Sequence, residues 1–191
     1  TVATLLAGKS ASFSKAYDSY IGFILGTGTN TCYIEANRNI PKTPGLESHK
    51  SMIINIESGN FNLAPRSVLD IKFDNTTMNP GNYSFEKMFS GGYFGGLCLT
   101  VLKEAASFGV FSDGPAGKLN QIRDLTAEAA NRFLTEDSGD NILDSCFLEA
   151  ADRDAAKKII SCLIDRASKL VASNLAAAVL KTGKGIDPAH P

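Results

Sequence analysis

The sequence predicts an α/β fold with antiparallel strands near the N-terminus followed by several helices. Two β-favouring runs flank a glycine turn, a third such run follows, and a long helical-period stripe lies toward the C-terminus. In chain order, residues 1–7 are helix-compatible, with Val2, Leu5 and Leu6 apolar, and residues 8–18 form a polar connector rich in Ser and Lys. Residues 21–25 are an apolar, β-favouring run. Gly26-Thr27-Gly28-Thr29-Asn30 has turn composition, and residues 31–35 alternate as a second strand, so the pair predicts a hairpin. After a loop containing Pro41 and Pro44, residues 52–56 predict a third strand, closed by Glu57-Ser58-Gly59. From about Ser84 the period becomes helical: Leu97, Val101, Leu102, Ala105 and Phe108 share one spacing. Ile159, Ile160, Leu163, Ile164, Ala167, Leu170, Val171, Asn174, Leu175 and Ala178 mark one face of a final long helix. Core packing accounts for that stripe, and Lys181-Thr182-Gly183 ends it with C-cap chemistry.

Composition narrows the class. At 43% hydrophobic and 20% charged, the 191 residues can bury a core and do not read as disordered. Nineteen basic against twenty acidic residues leave a net charge of -1, which gives no field for nucleic acid or an anionic membrane. The mixed cluster Arg153-Asp154-Ala155-Ala156-Lys157-Lys158 reads as a solvated helix face. Cys32, Cys98, Cys146 and Cys162 lie in apolar settings without metal or redox spacing, which predicts buried free thiols in a reducing cytosol. The sequons at Asn75 and Asn82 are expected to be chance matches, and His49 and His190 to be surface residues. No apolar run reaches the length of a membrane span.

Gly26-Thr27-Gly28-Thr29-Asn30 is the most informative pentapeptide. A dinucleotide fingerprint needs a third glycine and a following helix, but here Thr31 and a strand follow; no Gly-Lys-Ser/Thr follows either, so the P-loop reading fails too. Two readings stay open: a tight hairpin with glycines for its φ angles, or a phosphate-binding turn whose backbone N–H groups and Thr27 and Thr29 hydroxyls face an anion. Three polar residues favour a ligand. Asn30 offers a two-faced amide at the start of the outgoing strand. Glu57 ends an apolar strand. Glu86 follows Asn79-Pro80-Gly81 and is expected in the first turn of a helix, where the macrodipole favours a carboxylate. Two carboxylates and an amide at element ends suit a polyol, whose hydroxyls donate to carboxylates.

These residues resemble the hexokinase family of the eukaryotic type. The hairpin from Ile21 to Glu35 looks like that family's glycine-threonine hairpin, and Ile53-Ile54-Asn55-Ile56-Glu57-Ser58-Gly59-Asn60-Phe61 is similar to its next strand. Asn79-Pro80-Gly81-Asn82-Tyr83-Ser84-Phe85-Glu86-Lys87 is similar to its Asn-Pro-Gly block, which Gly91-Gly92-Tyr93-Phe94-Gly95-Gly96-Leu97 continues. The resemblance is specific to about Val110. It implies an actin-like ATPase (ribonuclease H-like) large subdomain over residues 1–191, with a strand region at 19–60 and a helical region at 80–183. The small domain and the C-terminal adenosine-side strands would lie outside this chain. It further implies a cytoplasmic kinase of glycolytic type that moves a phosphoryl group from MgATP to the 6-hydroxyl of glucose or a related hexose. Asn30, Glu57 and Glu86 match the hexose-binding positions. Gly26, Thr27, Gly28 and Thr29 match the turn near the ATP phosphates. Thr1-Val2-Ala3-Thr4 matches the end of the segment that carries the catalytic Asp, which would sit immediately before Thr1; Thr4 would fall on the cofactor side. On that basis the segment alone is expected to be inactive, its partners being a hexose and the remainder of the kinase chain. The rival implied by the same fold is a non-catalytic hexose-binding regulatory paralogue. Ser58 stands where the family usually has Trp, Tyr83 where a sugar-contacting Gln is common, and Asn60 and Asn62 alter the loop after Glu57; these departures bear on the sugar more than on the chemistry.

Overall fold

A computed structural model describes all residues except 12–16, 137–138 and 187–191. The chain divides into two compact units: Thr1–Leu25, Thr29–Ser58 and Leu170–Pro191 make up the first, Gly26–Gly28 and Gly59–Lys169 the second.

The first unit holds α1 (Val2–Ala11) and a three-stranded antiparallel sheet, β1 (Ile21–Leu25), β2 (Thr29–Ala36) and β3 (Ser51–Asn55), in the order β1-β2-β3. The predicted hairpin is present. It is tighter than its composition suggested, because Thr29 and Asn30 join β2 and pair with Leu25 and Ile24. Helix α1 runs four residues into the segment expected as a connector, while 12–16 lie outside the described residues. Gly22 explains how closely α1 approaches β1. A Cβ there would stand 2.6 Å from the Thr1 carbonyl oxygen and 2.9 Å from the Leu5 Cβ, and Leu5 is buried. On β2, Thr31 is fully buried and accepts a hydrogen bond of 2.6 Å from Asn174 in the C-terminal helix α6 (Ala150–Thr182), whose last turns belong to this unit. The helix ends at Gly183, which has φ +65°, as its C-cap chemistry predicts.

The second unit is helical: α2 (Val68–Asp74), α3 (Phe94–Ser107), α4 (Asp113–Gln121), α5 (Ala127–Thr135) and the first part of α6. Its core gathers Leu102, Leu119, Phe133, Phe147 and Ile160 around Cys98, whose burial pushes the thiol up to about 12. Gly95 allows α3 to meet the chain before α5, since a Cβ would fall 2.0 Å from the Leu125 carbonyl oxygen. Helix α2, absent from the sequence expectations, opens on a capping box in which Ser67 and Asp70 bond each other's backbone N–H. Arg166 on α6 then grips Asp70 with both nitrogens, at 2.9 and 2.8 Å.

Three expectations change. Glu86 opens a 3-10 turn, Glu86–Met88, rather than a longer helix, because Phe89 and Ser90 both donate back to its carbonyl and the chain turns before α3. Cys162 is exposed, lying on the outward side of α6, while the other three cysteines are buried. Arg153 is not simply solvated: it pairs with Asp144 at 2.6 Å and lies over the Phe133 ring. His49 is exposed, as expected, and His190 lies outside the described residues.

Candidate functional site

In the first unit, the end of β3 builds a carboxylate–amide cluster. Asn30 sits at the β2 start, where its Nδ2 donates to Glu57 Oε1 at 3.0 Å and to Asn55 Oδ1 at 3.1 Å. Its Oδ1 accepts from the Thr31 and Ser58 backbone N–H groups at 2.7 and 3.3 Å. The Asn30 amide is therefore fixed in orientation: both hydrogens and its oxygen are engaged. Asn55 Nδ2 also donates to Glu57 Oε1. Two amides on one carboxylate oxygen leave Glu57 Oε2 without a protein partner among the described residues, at an exposed position. The Glu57 backbone is left-handed, with φ +56°, a conformation that costs a non-glycine residue about 1–3 kcal/mol. Such strain persists where surrounding bonds over-determine it. Sequence reasoning found Asn30 and Glu57 but missed Asn55, which read as an ordinary strand residue, and Thr1, whose Oγ1 donates to Asn55 Oδ1 at 3.2 Å.

The second unit holds the glycine turn and Glu86. The turn is clamped by backbone alone: Gly91 N–H donates to the Gly26 carbonyl at 2.7 Å and Gly92 N–H to the Thr27 carbonyl at 3.0 Å. A Cβ on Gly92 would stand 2.7 Å from that Thr27 oxygen, so glycine is needed there for the approach. The Glu86 carboxylate lies directly against Gly28, with Oε2 2.7 Å from where a Cβ would be. Thr27 is exposed at the turn tip, and the space beyond the Gly26 Cα is open. The Gly26 N–H is used inside the turn, donating to the Gly28 carbonyl at 2.9 Å, so the exposed Thr27 hydroxyl is the donor the turn offers outward. Of the other predicted cofactor contacts, both in the first unit, Thr29 is buried and donates its hydroxyl to the Ile24 carbonyl at 3.0 Å, and Thr4 is exposed on α1. No group of three or more His, Cys, Asp or Glu that could hold a metal occurs among the described residues.

Behind Glu86 lies a buried ionic network. Lys87 Nζ donates to Asp74 Oδ1 at 2.6 Å, Thr77 Oγ1 at 2.8 Å and the Asn79 carbonyl at 2.7 Å, using all three hydrogens. Asp74 Oδ2 accepts from Arg66 at 3.0 Å and from Gly81 N–H at 2.9 Å. Burial alone would raise the Asp74 pKa; the Lys87 ammonium, the Gly81 N–H and Arg66 outweigh it and hold the carboxyl below its ordinary value. The Asn79-Pro80-Gly81 loop is thereby pinned directly before Glu86. A cleft of about 730 Å³ also opens along α2, α3 and α4. Two of its cations are already engaged, Lys72 with Glu104 and Lys103 with the Ile122 carbonyl.

A sequence model of a family described as Hexokinase matches residues 20–190. The chain belongs to the hexokinase family. It is 33% identical over 181 residues to the Hexokinase-like 1 protein of Arabidopsis thaliana, covering 87% of this chain and 36% of that one. It is 35% identical over 176 residues to Hexokinase-3 of Rattus norvegicus, covering 84% and 18%. Among solved structures, a Schistosoma mansoni hexokinase complexed with glucose superposes with a TM-score of 0.76 at 23% identity, over 94% of this chain and 43% of that one. A further hexokinase crystal structure gives 0.76 at 26% identity, over 95% and 40%. The fold is thus that of the hexokinases, with the actin-like ATPase architecture, and this hexokinase-family chain spans less than half the length of each of these relatives. No helix among the described residues is long and apolar enough to cross a membrane.

Proposed function

We propose that this chain is the sugar-binding and phosphate-turn part of an ATP-dependent hexose kinase acting on the 6-hydroxyl of glucose or a related hexose. The observation that carries the reading is the Glu57 carboxylate, strained, exposed and oriented by Asn30 and Asn55. A carboxylate with one oxygen fixed and one open accepts a hydrogen bond from a hydroxyl, and the Asn30 amide sets the direction. Glu86, in the second unit, is the second acceptor that the resemblance implies. The resemblance implies Gly26, Thr27, Gly28, Thr29 and Thr4 as the ATP side; of these, the exposed Thr27 hydroxyl is the contact the geometry supports, since the Gly26 N–H donates to the Gly28 carbonyl at 2.9 Å and the Thr29 hydroxyl to Ile24. MgATP supplies the transferable phosphoryl group and the metal charge that stabilises it. In the family the general base is an Asp of the segment whose end Thr1-Val2-Ala3-Thr4 resembles, and Thr1 Oγ1 donates to Asn55 in the Glu57 cluster.

A hexose-dependent ATP-turnover assay on the full-length protein tests the reading. Glu57→Gln is expected to lower kcat/KM roughly 10- to 100-fold, the cost of losing a charged hydrogen-bond acceptor. A full-length protein that neither binds nor phosphorylates a hexose overturns it. Binding without turnover selects the regulatory-paralogue reading.

A further inference from the structure

We propose that Asn174, on α6, is a positioning residue for the Glu57 carboxylate, acting through the buried hydroxyls of Thr31 and Ser58. This rests on the hexose reading above and goes beyond it by giving α6 a part in sugar binding.

Among the described residues, the non-glycine positions with positive φ are Glu57, at +56°, and Tyr83, at +53°. A left-handed backbone persists where its surroundings over-determine it. At Glu57 both neighbours in sequence are tied to one residue, Thr31. The Ile56 N–H donates to the Thr31 carbonyl at 2.9 Å. On the other side, the Ser58 and Thr31 hydroxyls share a hydrogen bond of 3.3 Å, and both residues are buried. The Asn30 amide closes the arrangement: its Oδ1 accepts from the Thr31 and Ser58 N–H groups, and its Nδ2 donates to Glu57. The amide that orients the carboxylate is therefore itself set by Thr31 and Ser58.

Asn174 determines how that hydroxyl pair is used. It is the polar member of an otherwise apolar stretch of the α6 stripe, with Leu170, Val171, Leu175 and Ala178 around it. From a half-buried position its Nδ2 donates to Thr31 Oγ1 at 2.6 Å. A hydroxyl has one hydrogen. With its oxygen accepting from Asn174, Thr31 keeps that hydrogen for Ser58 Oγ. A buried hydroxyl left without a partner is costly, so loss of the Asn174 amide loosens Thr31 and Ser58 together. Asn174, Thr31, Ser58, Asn30 and Glu57 all lie in the first unit. Tryptophan, which usually stands at position 58 in the family that the sequence resembles, offers only a donor and could not accept from Thr31. The relay is thus a property of this chain and not of the resemblance.

Calorimetric binding of D-glucose to the full-length protein tests this. Asn174→Leu and Thr31→Val each remove hydrogen bonding at similar side-chain size, and each is expected to weaken glucose binding about fivefold. The double variant is expected to bind no more weakly than either single one, because both break the same relay. Thr31→Ser keeps the hydroxyl and is expected to restore wild-type affinity. In a Glu57→Gln background the effect of either substitution is expected to fall below about twofold. Unchanged glucose affinity in Thr31→Val overturns the proposal. So does a loss that persists undiminished beside Glu57→Gln, since Asn174 and Thr31 would then support the fold and not the carboxylate. Thr31→Val decides the matter if Asn174→Leu does not fold. A wild-type protein that binds no hexose overturns the hexose reading and this inference with it; wild-type binding that neither substitution weakens overturns this inference alone.

Discussion

Glu57 and Glu86 reach their positions by different means. Glu57 is held in a strained backbone at an exposed strand end by side-chain amides, so its placement depends on groups that themselves touch solvent. The turn that carries Glu86 is anchored from below, by a buried ammonium with all three hydrogens used and a carboxylate with both oxygens engaged. In the first arrangement the strain falls on the carboxylate residue itself; in the second the support lies one residue away, in Lys87, and Glu86 keeps an unstrained backbone. The cost of mutation should therefore fall on different residues in the two places: on the supports for Glu86, on the carboxylate itself for Glu57.

The largest effect expected from this contrast is at Lys87. Lys87→Met leaves Asp74 buried without its ammonium and should destabilise the protein by about 3–5 kcal/mol in urea unfolding. A loss below about 1 kcal/mol would place Lys87 with the exposed supports of Glu57 and break the contrast. The acid limb of the stability curve comes next. Asp70 and Asp74 are both held below the ordinary carboxylate value of 3.8; at each, burial works upward but is outweighed, by Arg166 and Ser67 at Asp70 and by Lys87, Gly81 and Arg66 at Asp74. A depressed folded-state pKa contributes stability that is fully present above the unfolded value and lost as pH falls through the folded one. Unfolding followed by circular dichroism should therefore steepen below about pH 4. In Asp74→Asn that slope should shrink. The smallest effect is expected at Glu57, where Glu57→Gly relieves the left-handed strain and should raise stability by about 1 kcal/mol while removing hexose binding. A loss of stability there would mean the amide contacts outweigh the strain.

What could be read in advance follows from range. The hairpin, the third strand and the long helix with its glycine cap depend on neighbours a few residues apart, and each is present within a few residues of its expected bounds. Helix α2 was missed because seven residues carry too little periodicity; its signal was the Ser67-to-Asp70 spacing, with Asp in place of the usual Glu or Gln. Asn30, Glu57 and Glu86 could be singled out because polar residues at element ends need a reason. The left-handed φ of Glu57 and Tyr83 could not, since neither residue type signals it. Nor could the Lys87–Asp74 pair, whose partners lie 13 residues apart across a loop. Cys162 looked buried in a one-dimensional reading because its neighbours are apolar, but on α6 it turns to the solvent side.

The bonds that clamp the glycine turn run from main chain to main chain, from Gly91 and Gly92 to Gly26 and Thr27. A point mutation can delete a side chain but not a carbonyl, so no truncation removes this clamp. It is vulnerable only to gain of atoms: any residue larger than glycine at 91 or 92 brings a Cβ within 2.9 or 2.7 Å of a carbonyl oxygen. In a saturation scan the segment should therefore show an inverted signature. Alanine, the mildest replacement almost anywhere else, should already be damaging at positions 91 and 92, while at Thr27, whose clamp bond is made by the backbone, losing side-chain atoms should spare the architecture.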